Sequence, residues 1–186
     1  MKRKILVLVL LISMFICGCG NRSTKSSEYE TKGESTDEEV FLVSFESVTT
    51  EGEDFSTEEF KNSKLTMINV WATYCSPCLN EMPDLGEIAS NYDEKDFQVI
   101  GIVSDVSVNS SNDDVEYAKK LINETKANYT HLLLSESIYS NLVAGVDAVP
   151  TTFFVNEDGE LLRYVVGANS KAGWEGIIEG LFEEMK

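Results

Sequence analysis

A pair of cysteines separated by two residues lies at positions 75–78 (Cys-Ser-Pro-Cys), where a buried strand is followed by a helix. The apolar run at 65–70 predicts the strand, and the residues after the first cysteine, up to about 92, predict the helix. A cysteine at a helix N-terminus faces unpartnered backbone N–H groups and the positive end of the helix dipole. Both favour the thiolate, so Cys75 is the predicted nucleophile. Cys78, one turn further on the same face, is placed to attack the mixed disulfide. Pro77 has no N–H to satisfy in the first turn.

The other uses of such a pair explain this sequence less well. A disulfide across two intervening residues closes a very small loop and removes little entropy from the unfolded chain. A structural zinc site needs four ligands, usually two such pairs, whereas residues 40–186 hold this one pair and a single histidine, His131, far from it. We therefore predict redox chemistry without a metal or another cofactor, and we interpret His131 as an ordinary strand residue.

The first 18 residues have the composition of an export signal. Three basic residues precede an almost unbroken apolar run at 5–16, which is too short for a standard membrane span. The run ends at Cys-Gly-Cys (17–19), which resembles a bacterial lipobox. The resemblance implies that residues 1–18 are a lipoprotein signal peptide and that Cys19 carries a lipid. A plain secretory signal or an uncleaved anchor are the alternatives.

Composition then divides the rest of the chain. Residues 19–39 are polar and predict a flexible, lipid-anchored linker, whereas 40–186 are enough for one domain with its own core. The formal net charge is −17, from 15 basic and 32 acidic residues, so the surface should repel phosphate groups. We therefore expect no nucleic-acid partner and contact with a membrane only through the lipid anchor.

The segment from Asn69 to Pro83 reads NVWATYCSPCLNEMP. It resembles the active-site region of the thioredoxin superfamily, and in particular the TlpA/ResA-type branch with its AhpC/TSA/redoxin-like domain. Trp71 lies in the part that matches the whole superfamily. The branch tends to carry Asn at the position of Asn69 and an acid three residues after the second cysteine, here Glu81. Tyr74 departs from the commoner tryptophan and keeps an aromatic side chain beside the pair.

Further positions are predicted to support the cysteines. Glu81 could carry a proton or tune the pKa of a thiol; a solvated acid on a helix is the alternative. Asn69 is expected to satisfy hydrogen bonds at the end of its strand. Val149 and Pro150 precede an apolar run and resemble the cis-proline loop beside the redox pair, which implies that the Val149 backbone pairs with a substrate strand. A proline at the first residue of a strand is the alternative.

The resemblance covers roughly residues 41–186 and implies a thioredoxin fold: an α/β domain with a central mixed sheet flanked by helices. It also implies an added N-terminal strand at 41–48 and a central insertion at about 104–148. Periodicity and turn residues agree with further elements, namely a strand at 97–103, a helix at 113–126, a strand at 131–134, a helix at 137–144 and a hairpin turn at 157–160. The last helix is predicted to direct six apolar side chains into the core: Trp174, Ile177, Ile178, Leu181, Phe182 and Met185.

The function implied by the resemblance is that of an extracytoplasmic, membrane-anchored thiol–disulfide oxidoreductase. It would reduce disulfides of envelope client proteins, such as apocytochrome c or methionine sulfoxide reductase, and take electrons from a membrane donor of the CcdA/DsbD type. Because the Ser-Pro dipeptide does not fix the potential, a disulfide-forming oxidant stays open. Two other functions also stay open. One is a thiol peroxidase of the peroxiredoxin type, although the proline and threonine that precede the reactive cysteine in that type are missing here. The other is a copper carrier of the Sco type, which needs a wider cysteine spacing.

Overall fold

A five-stranded mixed sheet and a separate two-stranded hairpin organise the computed structural model, which describes residues 40–186. The predicted signal peptide (1–18), the linker (19–39) and Cys19 lie outside the described residues. The strands are β1 (Glu46–Val48), β2 (Asp54–Ser56), β3 (Leu65–Trp71), β4 (Phe97–Ser107), β5 (Thr130–Leu134), β6 (Thr151–Asn156) and β7 (Leu161–Val166). The helices are α1 (Ser76–Asn91), α2 (Asn112–Glu124), α3 (Glu136–Asn141) and α4 (Lys171–Glu184). None of these helices is long and apolar enough to cross a bilayer.

Strand β3 is the centre of the sheet, whose order is β5-β4-β3-β6-β7. It pairs in parallel with β4 and antiparallel with β6. All seven residues of β3 are buried. A strand that is covered on both faces has a mostly apolar sequence and not an alternating one, as this strand does. The predicted mixed α/β sheet is confirmed, and the end of β3 leads directly to the cysteine pair.

Successive residues of the central strands point to opposite faces of the sheet and supply two cores. On one face Ile68 and Phe153 pack in a cluster with Phe60. On the other face Met67 and Phe154 pack against side chains of α1 and α4.

The predicted apolar stripe of the last helix is largely confirmed. Trp174, Ile177, Ile178 and Leu181 are buried, and Phe182 packs partly buried against them. The prediction for Met185 is wrong, since this side chain is 39% exposed. The helix ends at Glu184, so Met185 lies past its last turn as the C-cap.

An added N-terminal strand is present, as predicted, but it is shorter than 41–48, because only β1 is a strand within that range. β1 pairs with β2 and not with the main sheet. Val43 and Phe45 are both buried, but the chain changes its backbone partner between them: Val43 N–H donates to the Gly159 carbonyl, whereas the Phe45 carbonyl accepts from Thr57. No single ladder therefore spans the segment.

The stretch 104–148, predicted as an insertion, supplies α2, β5 and α3. β5 pairs in parallel with β4 at the edge of the sheet. The predicted helix at 113–126 ends at Glu124, and Lys126 then takes a left-handed φ of 56°. The predicted helix at 137–144 is α3 followed by a short 3-10 turn, Val143–Gly145. The hairpin turn at 157–160 is confirmed, with Gly159 at a φ of 80°.

Gly86 of α1 lies against the loop that follows α2. A Cβ there would lie 2.4 Å from the carbonyl oxygen of Lys126 and 3.4 Å from the Cα of Ala127. We expect Gly86→Ala to lower the free energy of unfolding by about 1–3 kcal/mol, because backbone atoms would have to move.

Gly176, an exposed residue of α4, is the matched control, since a Cβ there meets nothing within 4 Å. Gly176→Ala should raise the free energy of unfolding by about 0.5–1 kcal/mol, because alanine loses less backbone entropy in a helix. Chemical denaturation of both variants measures the difference. Equal stability of the two variants would contradict the close contact at Gly86.

Candidate active site

The two cysteines are joined by a disulfide at the start of α1, with their Cα atoms 5.3 Å apart. Cys75 is the N-cap of the helix, and its Sγ accepts a hydrogen bond from the backbone N–H of Cys78 at 3.2 Å. The backbone N–H of Cys75 in turn donates to the carbonyl of Ala72 at 3.0 Å. The predicted helix start is confirmed. After reduction, the same N–H donor and the helix dipole would stabilise a thiolate at Cys75.

The two sulfurs differ in their access to solvent. Cys75 is 5% exposed, whereas Cys78 is fully buried. The residues around Cys75 are open: Tyr74 is 76% exposed, and Ser76 and Pro77 are also on the surface. An incoming disulfide can therefore reach Cys75 but not Cys78, and Tyr74 presents an aromatic surface beside it.

The loop between β3 and α1 is held by Asp105 of β4. Both carboxylate oxygens of Asp105 accept from the backbone N–H of Thr73, at 3.0 and 3.1 Å. The Thr73 hydroxyl donates to Oδ2 at 2.5 Å. This anchor was not predicted, and its only signal in the sequence is an acid within a mostly apolar strand.

Glu81 is a buried carboxylate one turn after Cys78. Its side chain is 3% exposed, so the alternative of a solvated acid is wrong. Oε1 accepts from Asn69 Nδ2 at 3.0 Å. Oε2 accepts from the backbone N–H of Asn169 at 3.1 Å and from Trp174 Nε1 at 3.3 Å. Burial raises the pKa of Glu81, and the three donors offset part of that rise.

Asn69 bonds within this site through its side chain. Besides its bond to Glu81, the Asn69 Nδ2 donates to Thr152 Oγ1 at 3.0 Å. The two residues meet because they are direct partners in the β3–β6 ladder. Asn69 was expected to satisfy hydrogen bonds at the end of its strand, and in the structure it satisfies the carboxylate of Glu81. Thr152, Asn169 and Trp174 were not identified as site residues from the sequence, since each is more than 80 residues from the group that it contacts.

The peptide bond between Val149 and Pro150 is cis, as the resemblance implied. The side chain of Val149 packs against the buried cluster that contains Cys75 and Cys78. The structure therefore brings the two motifs, about 70 residues apart in sequence, to one place.

His131 lies in a strand, β5, as predicted, but it is not an ordinary strand residue, because its buried side chain has specific partners. It is 3% exposed, and its Nδ1 accepts from Trp71 Nε1 at 3.2 Å. Its Nε2 lies 3.1 Å from the carbonyl oxygen of Ala127. Burial lowers the pKa of His131 to about 4, so the ring is neutral at pH 7.

The buried imidazole makes stability depend on pH. Its pKa is about 4 in the folded chain and 6.5 when unperturbed, so the unfolded state binds the proton first as the pH falls. The stability linked to His131 is therefore fully present above about pH 6.5. It is lost between about pH 6.5 and 4, by about 3 kcal/mol in total.

Chemical denaturation of the oxidised wild type and of His131→Asn checks this prediction. Between about pH 7 and 4, the wild type should lose about 3 kcal/mol more than the variant. Glu81 acts in the opposite direction, because its raised pKa makes folding more favourable as the pH falls, but it is present in both proteins. Equal losses would contradict the burial of a neutral His131.

Comparisons with known proteins agree with this geometry. The family model described as Redoxin matches residues 32–178. The thiol–disulfide oxidoreductase ResA of Bacillus thuringiensis subsp. konkukian is 25% identical over 179 residues, which cover 96% of this chain and 98% of ResA. The thioredoxin-like protein YneN of Bacillus subtilis is 29% identical over 129 residues, which cover 68% of this chain and 70% of YneN.

A solved structure supports the fold independently. The exposed lipoprotein thioredoxin Etrx1 of Streptococcus pneumoniae is similar, with a TM-score of 0.61 and 25% identity over 74% of this chain and 98% of Etrx1. The predicted thioredoxin fold is therefore confirmed. With a cysteine pair at the start of a helix, a cis-proline loop beside it and a family model that spans most of its length, the chain belongs to the Redoxin family and is a thiol–disulfide oxidoreductase.

Proposed function

We propose that this chain is a lipid-anchored, extracytoplasmic enzyme that reduces disulfides of envelope proteins through Cys75 and Cys78. The observation that carries the proposal is the unequal access to one disulfide, with Cys75 5% exposed beside open neighbours and Cys78 fully buried. A client can engage only the first sulfur, and the second is left to complete the exchange inside the protein.

The reaction begins with the reduced pair. The Cys75 thiolate attacks one sulfur of a client disulfide, the S–S bond of the client breaks, and one client thiolate leaves and takes up a proton. Cys78, after losing its proton, attacks Cys75 Sγ in the mixed disulfide and releases the second client thiolate. Two electrons pass from the dithiol to the client, and the chain is left with the Cys75–Cys78 disulfide.

Glu81 is the proposed acceptor of the Cys78 proton. It lies three residues after Cys78 on the same helix, and it is buried. Because its pKa is raised by burial, its affinity for a proton is closer to what proton transfer near neutral pH needs. Asn69 then has a positioning role, since it holds Oε1 in place.

Val149 is the proposed docking point for the client backbone. Within residues 40–186 its own backbone makes no hydrogen bond, so its N–H and carbonyl are free to pair with an extended client strand. The cis bond to Pro150 belongs to the same loop.

The location and the partners are proposed from the N-terminal sequence and from a similar protein. The Cys-Gly-Cys sequence at 17–19 follows a short apolar run, and the similar Etrx1 is described as an exposed lipoprotein thioredoxin. We propose clients such as apocytochrome c or methionine sulfoxide reductase, and a membrane electron donor of the CcdA/DsbD type that reduces the Cys75–Cys78 disulfide again.

The midpoint potential tests the direction of electron flow. Full-length protein in detergent is equilibrated in glutathione or dithiothreitol buffers, and the fraction of the Cys75–Cys78 disulfide is measured. We expect a value near that of thioredoxin, about −270 mV. A value near about −120 mV would instead identify a disulfide-forming oxidant.

The different roles of the two sulfurs predict opposite behaviour of two matched variants. Cys78→Ser should accumulate mixed disulfides with client proteins, because Cys75 can still attack but nothing resolves the adduct. Cys75→Ser should accumulate none, since Cys78 is buried. Adducts are separated on non-reducing gels and identified by mass spectrometry. Equal trapping by both variants would contradict the assigned roles.

A further inference from the structure

One buried polar contact beside the redox pair takes no part in the exchange described above. His131 lies in β5 and Trp71 is the last residue of β3, 60 residues earlier. Both side chains are almost completely buried. Trp71 leads into the loop that carries Cys75, so a group that fixes its indole acts close to the reacting sulfurs.

The hydrogen bonds of the imidazole fix its protonation at each nitrogen. Nε2 lies 3.1 Å from the Ala127 carbonyl oxygen, and a carbonyl oxygen can only accept, so Nε2 carries the hydrogen. Nδ1 is therefore a lone-pair acceptor, and it receives the indole N–H of Trp71 at 3.2 Å. The Trp71 and His131 rings meet edge to face, with centroids 5.7 Å apart.

The neighbouring backbone leaves room for this acceptor. Gly101 of β4 is the direct ladder partner of His131. A Cβ at Gly101 would lie 2.2 Å from His131 Nδ1 and 2.7 Å from Cε1, so any larger residue would displace the ring. On its other side, the Tyr129 ring stacks on the imidazole with centroids 4.4 Å apart. The ring is thus held by packing as well as by its two hydrogen bonds.

The indole that His131 holds forms part of the surroundings of the disulfide. Trp71, Cys75, Cys78 and Met82 belong to one buried apolar cluster. The backbone at Trp71 is fixed separately, since its carbonyl accepts from the Ser104 hydroxyl at 2.9 Å. For the ring itself, the hydrogen bond to His131 is the polar contact that adds to its packing.

We infer that His131 is a positioning residue: by accepting the indole N–H of Trp71, it holds that ring in the cluster around Cys75 and Cys78 and thereby sets the equilibrium between the disulfide and the dithiol. Reduction separates the two sulfurs, so the cluster contacts them differently in the two states. A fixed indole then favours one state over the other. The inference rests on the proposed redox role of the pair, but not on the direction of electron flow.

Two polar variants each remove one of the two hydrogen bonds of His131 and keep the other. His131→Gln places its amide near the position of Nε2, so it keeps a donor for Ala127 and loses the acceptor for Trp71. His131→Asn places its amide oxygen near the position of Nδ1, so it keeps the acceptor and loses the bond to Ala127. Each variant loses one hydrogen bond, which makes them matched controls for stability.

The measurement is the equilibrium constant of the full-length protein with glutathione, in detergent, with the unfolding midpoint measured in parallel. A buried N–H without a partner is costly, so the cluster should rearrange in His131→Gln. We expect this variant to shift the constant about tenfold, which is about 30 mV for a two-electron couple. His131→Asn should stay within about twofold of the wild type.

Trp71→Phe tests whether His131 acts through the indole. It removes the donor, so it should shift the constant in the same direction as His131→Gln, and adding His131→Gln to it should change nothing further. If His131→Gln does not fold, Trp71→Phe alone carries the test, and an unchanged constant there overturns the inference.

Three other outcomes would also overturn it: equal shifts in His131→Gln and His131→Asn, no shift in either, or a full additional shift from His131→Gln in the Trp71→Phe background. These outcomes are distinct from failure of the proposed function, which would appear as a pair that does not exchange with glutathione in the wild type.

Discussion

A carboxylate buried in an apolar core needs hydrogen-bond donors, and Glu81 obtains them from three other parts of the chain. Asn69 contributes from β3, the Asn169 backbone from the loop before α4, and Trp174 from α4 itself. Removing any of these would leave a buried charge poorly satisfied, at a cost of several kcal/mol in the worst case. The carboxylate therefore fixes α1 relative to the central strand and the last helix. Because Cys75 begins α1, the position of the disulfide depends on the same network.

The redox pair derives its asymmetry from that fixed helix. A helix start at the end of a buried strand leaves Cys75 slightly exposed, while the next turn places Cys78 fully in the core. Asp105 holds the connecting loop through hydrogen bonds to Thr73. Val149, in the cis-proline loop, packs against the buried cluster that contains both cysteines. The unequal exposure of the two cysteines and the burial of Glu81 one turn later are therefore consequences of one strand-to-helix connection.

Predictions from sequence succeeded where neighbouring residues decide the structure. The strand before the pair, the helix after it and the hairpin at 157–160 depend on periodicity and turn residues, and all are present. Predictions failed where a distant partner or an element boundary decides. The segment 41–48 changes partners midway and forms only a short strand, and Met185 lies beyond the end of its helix.

The candidate site divides in the same way. The sequence by itself determined the cysteine spacing at a helix start, the acid one turn later and a proline ahead of a buried strand, because each is a local pattern whose chemistry follows from its neighbours. Only the tertiary structure decided that Glu81 is buried and not solvated, and that His131 accepts from Trp71. Burial and hydrogen-bond partners depend on which strands are adjacent. The β3–β4 and β4–β5 ladders join residues 27 to 32 positions apart, and together they bring His131 to Trp71, 60 positions earlier. The spacing of residues in the sequence does not indicate such contacts. The burial of Glu81 and the partners of His131 could therefore be identified only from the tertiary structure.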